Sequence, residues 1–129
     1  MNSLLLSSLA VAATVCLTSV AQLILKWQIA KIGTPQETSQ DIARWLVRVL
    51  LNPWIIAVFA GAFLAAISWF FAVSRVPLSY AYPFVALTFP IVVIGSGLIF
   101  GDPIHWTALL GTAFIVAGLV IIAFGLQQT

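Results

Sequence analysis

Four uninterrupted apolar runs, at residues 4–25, 54–73, 78–100 and 106–126, constrain this chain more than any other feature of its sequence. They hold 22, 20, 23 and 21 residues, and a helix rising about 1.5 Å per residue needs about 20 to cross a hydrocarbon core. Inside lipid a segment must satisfy its own backbone hydrogen bonds, so each run is predicted to be a helix. The charge count agrees. Only 6% of the 129 residues are charged and 63% are hydrophobic, against about 25% charged in a soluble domain. The expectation is an all-α membrane protein, residues 1–129 forming one four-helix transmembrane domain without an internal repeat. The net charge of +2 is spread over no basic face, so nucleic acid is not an expected partner. Cys16, the single cysteine, allows neither an intrachain disulfide nor a cysteine metal site. The segment Ser19–Gln22 is faintly like a signal-peptide cleavage site. No Lys or Arg precedes the apolar run, however, and the run continues to Leu25, so a retained first span is expected.

Trp27, Trp54, Tyr80 and Trp106 fall near the predicted ends, where amphipathic rings favour the membrane–water interface. The second and third connectors, around Ser74–Arg75 and Asp102–Pro103, are short enough for tight helical hairpins. The first is longer. Thr34, Pro35 and Glu37 form a capping-box pattern. Behind it Glu37, Asp41, Arg44 and Arg48 share one helical face, and Ile42, Trp45, Leu46, Val49 and Leu50 share the other. This predicts an amphipathic helix over about 35–51 lying in the interface plane, as a linker or as a gate. Lys26, Lys31, Arg44 and Arg48 lie on one side of the membrane and Arg75 on the other, which places the first connector in the cytoplasm and both termini outside.

No acid falls within a span. Glu37, Asp41, Asp102 and His105 all belong to connectors, so no catalytic dyad or metal site converges at membrane depth, and neither enzyme chemistry nor a cofactor is expected. Asp102 reads as punctuation after the third span, with Pro103 opening the fourth helix. In the first span Thr14, Thr18, Gln22 and Lys26 recur every four residues and draw a polar line down an apolar rod. The line reads either as glue between helices or as the wall of a polar cavity with Lys26 holding an anionic headgroup; Thr14 reads as glue. In the third span Pro83 and Pro90 each remove a backbone donor, and Gly95 and Gly97 add a second weak point, so this helix is expected to bend and to serve as a hinge or a static kink. Gly111 and Gly118 in the fourth span suit close helix packing, within the chain or across a dimer.

The stretch from Ser68 to Phe89, the Gly101-Asp102-Pro103 turn and the run from Gly111 to Ile122 together resemble the four-helix, EamA-like members of the drug/metabolite transporter superfamily. They are most similar to the small subunits of the aminoarabinose-phosphoundecaprenol flippase. The resemblance spans nearly the whole chain. It is most specific at Trp69, Val76-Pro77, Ala81-Tyr82-Pro83 and Gly111–Gly118, and Gln22 and Lys26 close the first span at family-like places. The small multidrug resistance exporters share the frame, but Thr18 stands where those carry a membrane-embedded glutamate, and Val85 stands where an aromatic partner of the pocket tyrosine is expected. Cation-for-proton exchange needs a buried carboxylate, so the resemblance implies a flippase for a polyprenyl-phosphate-linked sugar in the bacterial inner membrane. Thr18, Gln22, Lys26, Arg75 and Tyr82 would then bind the cargo. The protein would act as a homodimer or with a second small transmembrane subunit, among membrane lipids. The lopsided Lys/Arg distribution argues against an antiparallel homodimer and for a partner of opposite orientation. The alternatives are a small-molecule exporter lacking the usual acid and a non-transporting accessory subunit.

Overall fold

The computed structural model describes residues 2–126, and all regular structure among them is helical. Met1 and residues 127–129, part of the expected 1–129 domain, lie outside the described residues. Six helices follow in order: α1 (Asn2–Ile32), α2 (Ser39–Leu50), α3 (Pro53–Val73), α4 (Leu78–Val85), α5 (Thr88–Phe100) and α6 (Trp106–Leu126). Four segments are long and apolar enough to span a membrane: Leu5–Ile32, Pro53–Val73, Leu78–Phe100 and Trp106–Gly125. The chain is an all-α membrane protein, as the four runs require.

The spine is the antiparallel pair α1–α3. Small residues set its spacing: Ala65 and Ala72 of α3 are buried with Ile55 and Val58, against Val11 and Val15 of α1. The Thr14 hydroxyl lies within hydrogen-bonding reach of the Ala10 carbonyl (2.9 Å) and, across the interface, of the Ala65 carbonyl (3.3 Å), its one proton serving either. Buried Ser19 donates to the Val15 carbonyl at 2.8 Å. Both hydroxyls therefore sit in an apolar interface without an unsatisfied donor.

α1 runs seven residues past Leu25 and stops at Gly33, whose φ of 83° is easy only for glycine. Its last turns are tied to the start of α3. Asn52 caps α3 by accepting the Trp54 N–H through Oδ1 at 2.9 Å, with Pro53 at the first helical position. The Asn52 amide reaches the buried Gln28 Oε1 at 3.5 Å, and the Trp27 and Trp54 rings meet edge-on at 5.4 Å.

α2 begins at Ser39, four residues later than Pro35, where the capping pattern Thr34-Pro35-Glu37 places the start. Thr38 takes the cap position, and its carbonyl accepts the Asp41 and Ile42 N–H groups at 3.0 Å. Residues 33–38 are needed to turn the chain out of α1. The Trp45 indole N–H donates to the Gly33 carbonyl at 2.6 Å and closes that turn.

The third span divides into α4 and α5 at Ala86–Leu87, between its two prolines. Pro90 has no N–H for the Ala86 carbonyl, which takes the Phe89 N–H at 3.1 Å instead. The Val85 carbonyl takes the Thr88 hydroxyl at 2.8 Å, and the Leu87 N–H reaches back only three residues, to Phe84, at 3.1 Å. These shorter loops tighten the turn and satisfy the Ala86 carbonyl that Pro90 releases. Gly95 and Gly97 lie inside α5, which runs unbroken through them. A Cβ at Gly95 would press on the Leu23 side chain, and one at Gly97 would collide with the tip of Ile104.

Gly101, with φ of 67°, ends α5. α6 opens at Trp106 rather than at Pro103, with the His105 carbonyl receiving the Ala108 and Leu109 N–H groups at 2.9 and 3.2 Å. α6 leans on the bundle by one margin: Leu119 is buried, whereas Phe114, Ile121 and Phe124 stand out from it. Gly111 and Gly118 have nothing within 4 Å of where a side chain would begin.

Candidate functional site

Between α1 and α3, floored by α4, lies an open cavity of about 490 Å³. From α1 it takes Thr14, Thr18, Gln22 and Leu25; from α3, residues between Val58 and Trp69; from α4, Tyr82 and Val85. Thr14 to Leu25 covers about 16 Å of helix at 1.5 Å per residue. Thr18 falls at the middle of the Leu5–Ile32 span, so the cavity occupies membrane depth. Packing explains why it exists. Ala21, Ala62, Ala65 and Ala66 line it, and these short side chains leave space that two straight helices cannot close.

Its lining carries no charge. Among the described residues the Gln22 amide and the Thr18 hydroxyl have no hydrogen-bond partner. Both therefore face the cavity with their bonding capacity free, in a low-dielectric setting where such bonds gain strength. Trp69 and Tyr82 meet there edge-to-face, with ring centroids 6.0 Å apart, and Tyr82 is largely exposed. Polar groups along one wall and an aromatic corner at the other suit a polyhydroxylated group: hydroxyls meet the amide and C–H faces meet the rings.

The two cations expected beside the cargo stand elsewhere. Lys26 is turned out of the cavity. Its ammonium pairs with Asp102 in the α5–α6 connector and lies 5.1 Å from the centre of the Phe100 ring. The reason is helical geometry. Steps of four residues advance 400°, so the Thr14–Thr18–Gln22–Lys26 line drifts about 40° per step and has turned about 120° by Lys26. Leu25, eleven residues after Thr14, returns to the cavity face instead. Arg75 lies in the α3–α4 connector, exposed, with its guanidinium 4.3 Å from the Phe71 ring centre. That connector is at the opposite end of the bundle from Lys26. The cavity is thus neutral, with Lys26 beyond one end and Arg75 beyond the other, rather than the mildly cationic groove that the sequence suggests.

Sequence reasoning placed Asp102 only as a turn residue. Its partnership with Lys26 crosses 76 positions of sequence, and no local pattern reveals it. The Gln28–Asn52 contact was equally hidden, although Asn-Pro before an apolar run does mark a helix start. A second, almost wholly apolar cleft of about 310 Å³ follows the neighbouring face of α1, between Val11, Val15 and the α4–α5 residues Tyr80, Phe84 and Ile91. Among the described residues no three His, Cys, Asp or Glu side chains gather as a metal site would require.

Comparison with known proteins gives consistent relatives. The chain is 36% identical over 121 residues to the "Probable 4-amino-4-deoxy-L-arabinose-phosphoundecaprenol flippase subunit ArnF" of Klebsiella pneumoniae, covering 89% of this chain and 93% of that one. It is 37% identical over 113 residues to the protein of the same name from Yersinia enterocolitica, covering 84% and 87%. It is 33% identical over 128 residues to that from Shewanella sediminis, covering 90% and 86%. No family model matches the chain, and no solved structure matches it.

Proposed function

Since the chain belongs to the family of the ArnF flippase subunits, we propose that it is one half of a flippase that carries a polyprenyl-phosphate-linked sugar, of the aminoarabinose class named for its relatives, across the bacterial inner membrane. The observation that carries this reading is the uncharged cavity at membrane depth, with Gln22 and Thr18 unpartnered on its wall. A sugar crossing the bilayer loses its hydration. Each hydroxyl left without a partner costs of order 1–3 kcal/mol. Gln22 offers one acceptor and two donors, and Thr18 one of each, which replaces part of that water. Trp69 and Tyr82 cover the apolar face of the ring.

The isoprenoid tail needs no path through protein. The cavity opens sideways to the lipid, and the apolar cleft beside α4 and α5 offers it a track. The phosphate is handled at the ends. It is received near Lys26, where it displaces Asp102, and released near Arg75 on the other side. The proline-flanked break at Ala86–Leu87 lets α4 and α5 rock, with Gly95 and Gly97 giving Leu23 and Ile104 room against α5, and exposes the cavity to each side in turn. A second small transmembrane subunit closes the open side. The relatives are named as subunits, and one copy of this chain walls the cavity on only part of its circumference.

Proteoliposomes containing the protein, its partner subunit and the aminoarabinose carrier lipid test this reading. A membrane-impermeant amine reagent reports how much headgroup has crossed. The wild-type pair should move headgroup to the far leaflet within minutes, and Gln22→Leu combined with Thr18→Val should slow it about tenfold. Equal rates in the variant and the wild type would rule out a cargo-bearing role for the cavity.

A further inference from the structure

A second polar space lies away from the α1–α3 cavity. The loop after α1 and the polar face of α2 enclose a cleft of about 310 Å³, with Thr34 and Gln36 on the loop side and Asp41, Arg44 and Arg48 on the helix side, joined by Trp45, which the sequence pattern assigns to the apolar face. The helix residues recur at intervals of three and four, so a single face of α2 presents both guanidinium groups to the loop. The Trp45–Gly33 hydrogen bond holds that face against the loop. Asp41 offsets one of the two positive charges. Neither arginine is in an ion pair, since the only salt bridge among the described residues joins Lys26 and Asp102. The lining of the cleft therefore carries a surplus positive charge, with Glu37 of the same loop outside the lining, together with forked N–H donors and a hydroxyl and an amide from Thr34 and Gln36. That donor set matches the oxygens of a phosphate.

The other face of α2 says where this cleft sits. Ile42, Leu46 and Leu50 are 40–51% exposed. A helix with one oily face and one cationic face lies along a bilayer surface, its oily side down. The cleft then stands at the depth of lipid phosphates, at the end of the molecule that holds Lys26, Lys31, Arg44 and Arg48.

We propose that the cleft between α2 and the 33–38 loop is a phosphate-ester binding site at the membrane surface, distinct from the cavity and requiring no transport. Arg44 and Arg48 grip the phosphate, and Thr34 and Gln36 complete its hydrogen bonds. The same chemistry is offered by a bulk anionic phospholipid, by a polyprenyl phosphate and by free phosphate, and the experiment separates them.

Native mass spectrometry of the full chain in detergent, titrated in turn with phosphatidylglycerol, undecaprenyl phosphate and sodium phosphate, reads the binding. Near an anionic surface each arginine contributes roughly a factor of five, so Arg44→Gln with Arg48→Gln should bind about thirtyfold more weakly. Arg44→Lys with Arg48→Lys should recover part of the loss, which shows that the fold survives, and Ser74→Ala, in the α3–α4 connector away from the cleft, should bind as the wild type does. Tighter retention of undecaprenyl phosphate than of phosphatidylglycerol identifies the carrier lipid as the ligand, equal retention identifies any phosphate lipid, and retention of sodium phosphate alone identifies a soluble source; all three support the cleft. Undiminished binding in the double glutamine variant, an equal loss in Ser74→Ala, or no binding by the wild type would overturn it. Binding is read without transport, so a failure of the flippase reading leaves this result standing, and the reverse holds too.

Discussion

Single side chains carry the chemistry in this chain, and the direction of each decides what it can do. The stripe Thr14–Thr18–Gln22–Lys26 was legible in the sequence, and three of its members do reach the cavity. The fourth departs because a four-residue step overshoots a helical turn by about 40°. That drift is computable from sequence, but which neighbour receives the displaced lysine is not, because Asp102 comes from the far end of another span. The Lys26–Asp102 pair is partly solvated, its side chains 44% and 35% exposed. Such pairs contribute at most about 1 kcal/mol. Asp102→Asn should therefore lower stability in a denaturant titration by less than about 1 kcal/mol, while Lys26 becomes several-fold more reactive toward an aqueous anhydride. An unchanged modification rate would show that the carboxylate does not hold the ammonium.

At the level of elements, helices were easier to foresee than their joints. Apolar runs of about 20 residues leave the backbone no alternative to helix, so the existence of four spans was readable. The break in the third span was readable as a consequence of Pro83 and Pro90, but its place at Ala86–Leu87 depends on which carbonyls find a shortened partner. The start of α2 was misplaced because Thr34-Pro35-Glu37 and Thr38–Asp41 offer rival caps, and the need to clear the end of α1 selects the second. The glycines divide the same way. A methyl group at Gly97 meets the Ile104 side chain, so Gly97→Ala should cost about 1–3 kcal/mol, the usual range for overpacking. Adding Ile104→Ala should recover most of that, a coupling that a double-mutant cycle in thermal unfolding would measure. Gly95→Ala, pressing on the more yielding Leu23 at 3.1 Å, should cost less.

Across the whole molecule, charge and surface describe how the chain sits and what it lacks. Four of its five cations fall at the α1–α3 end and one at the other, and on the positive-inside bias we propose that the α2 end faces the cytoplasm. A phosphatase reporter fused after Thr129 should be active, and the same reporter inserted near Gln36 inactive. Gly111→Leu with Gly118→Leu should leave helical content unchanged, since nothing in the chain lies within 4 Å of either site, and should reduce copurification with a partner subunit several-fold if α6 is the joining face. Neither α6 nor the open side of the cavity is finished by this chain alone, and no local sequence pattern shows what finishes them. That exposed sixth helix also bears on the cell's housekeeping. A protomer whose last helix is held by one edge is a natural target for membrane-embedded proteases when it is made in excess, so its abundance should follow the supply of its companion, and matched dosage of the two would be enforced by turnover rather than by matched synthesis.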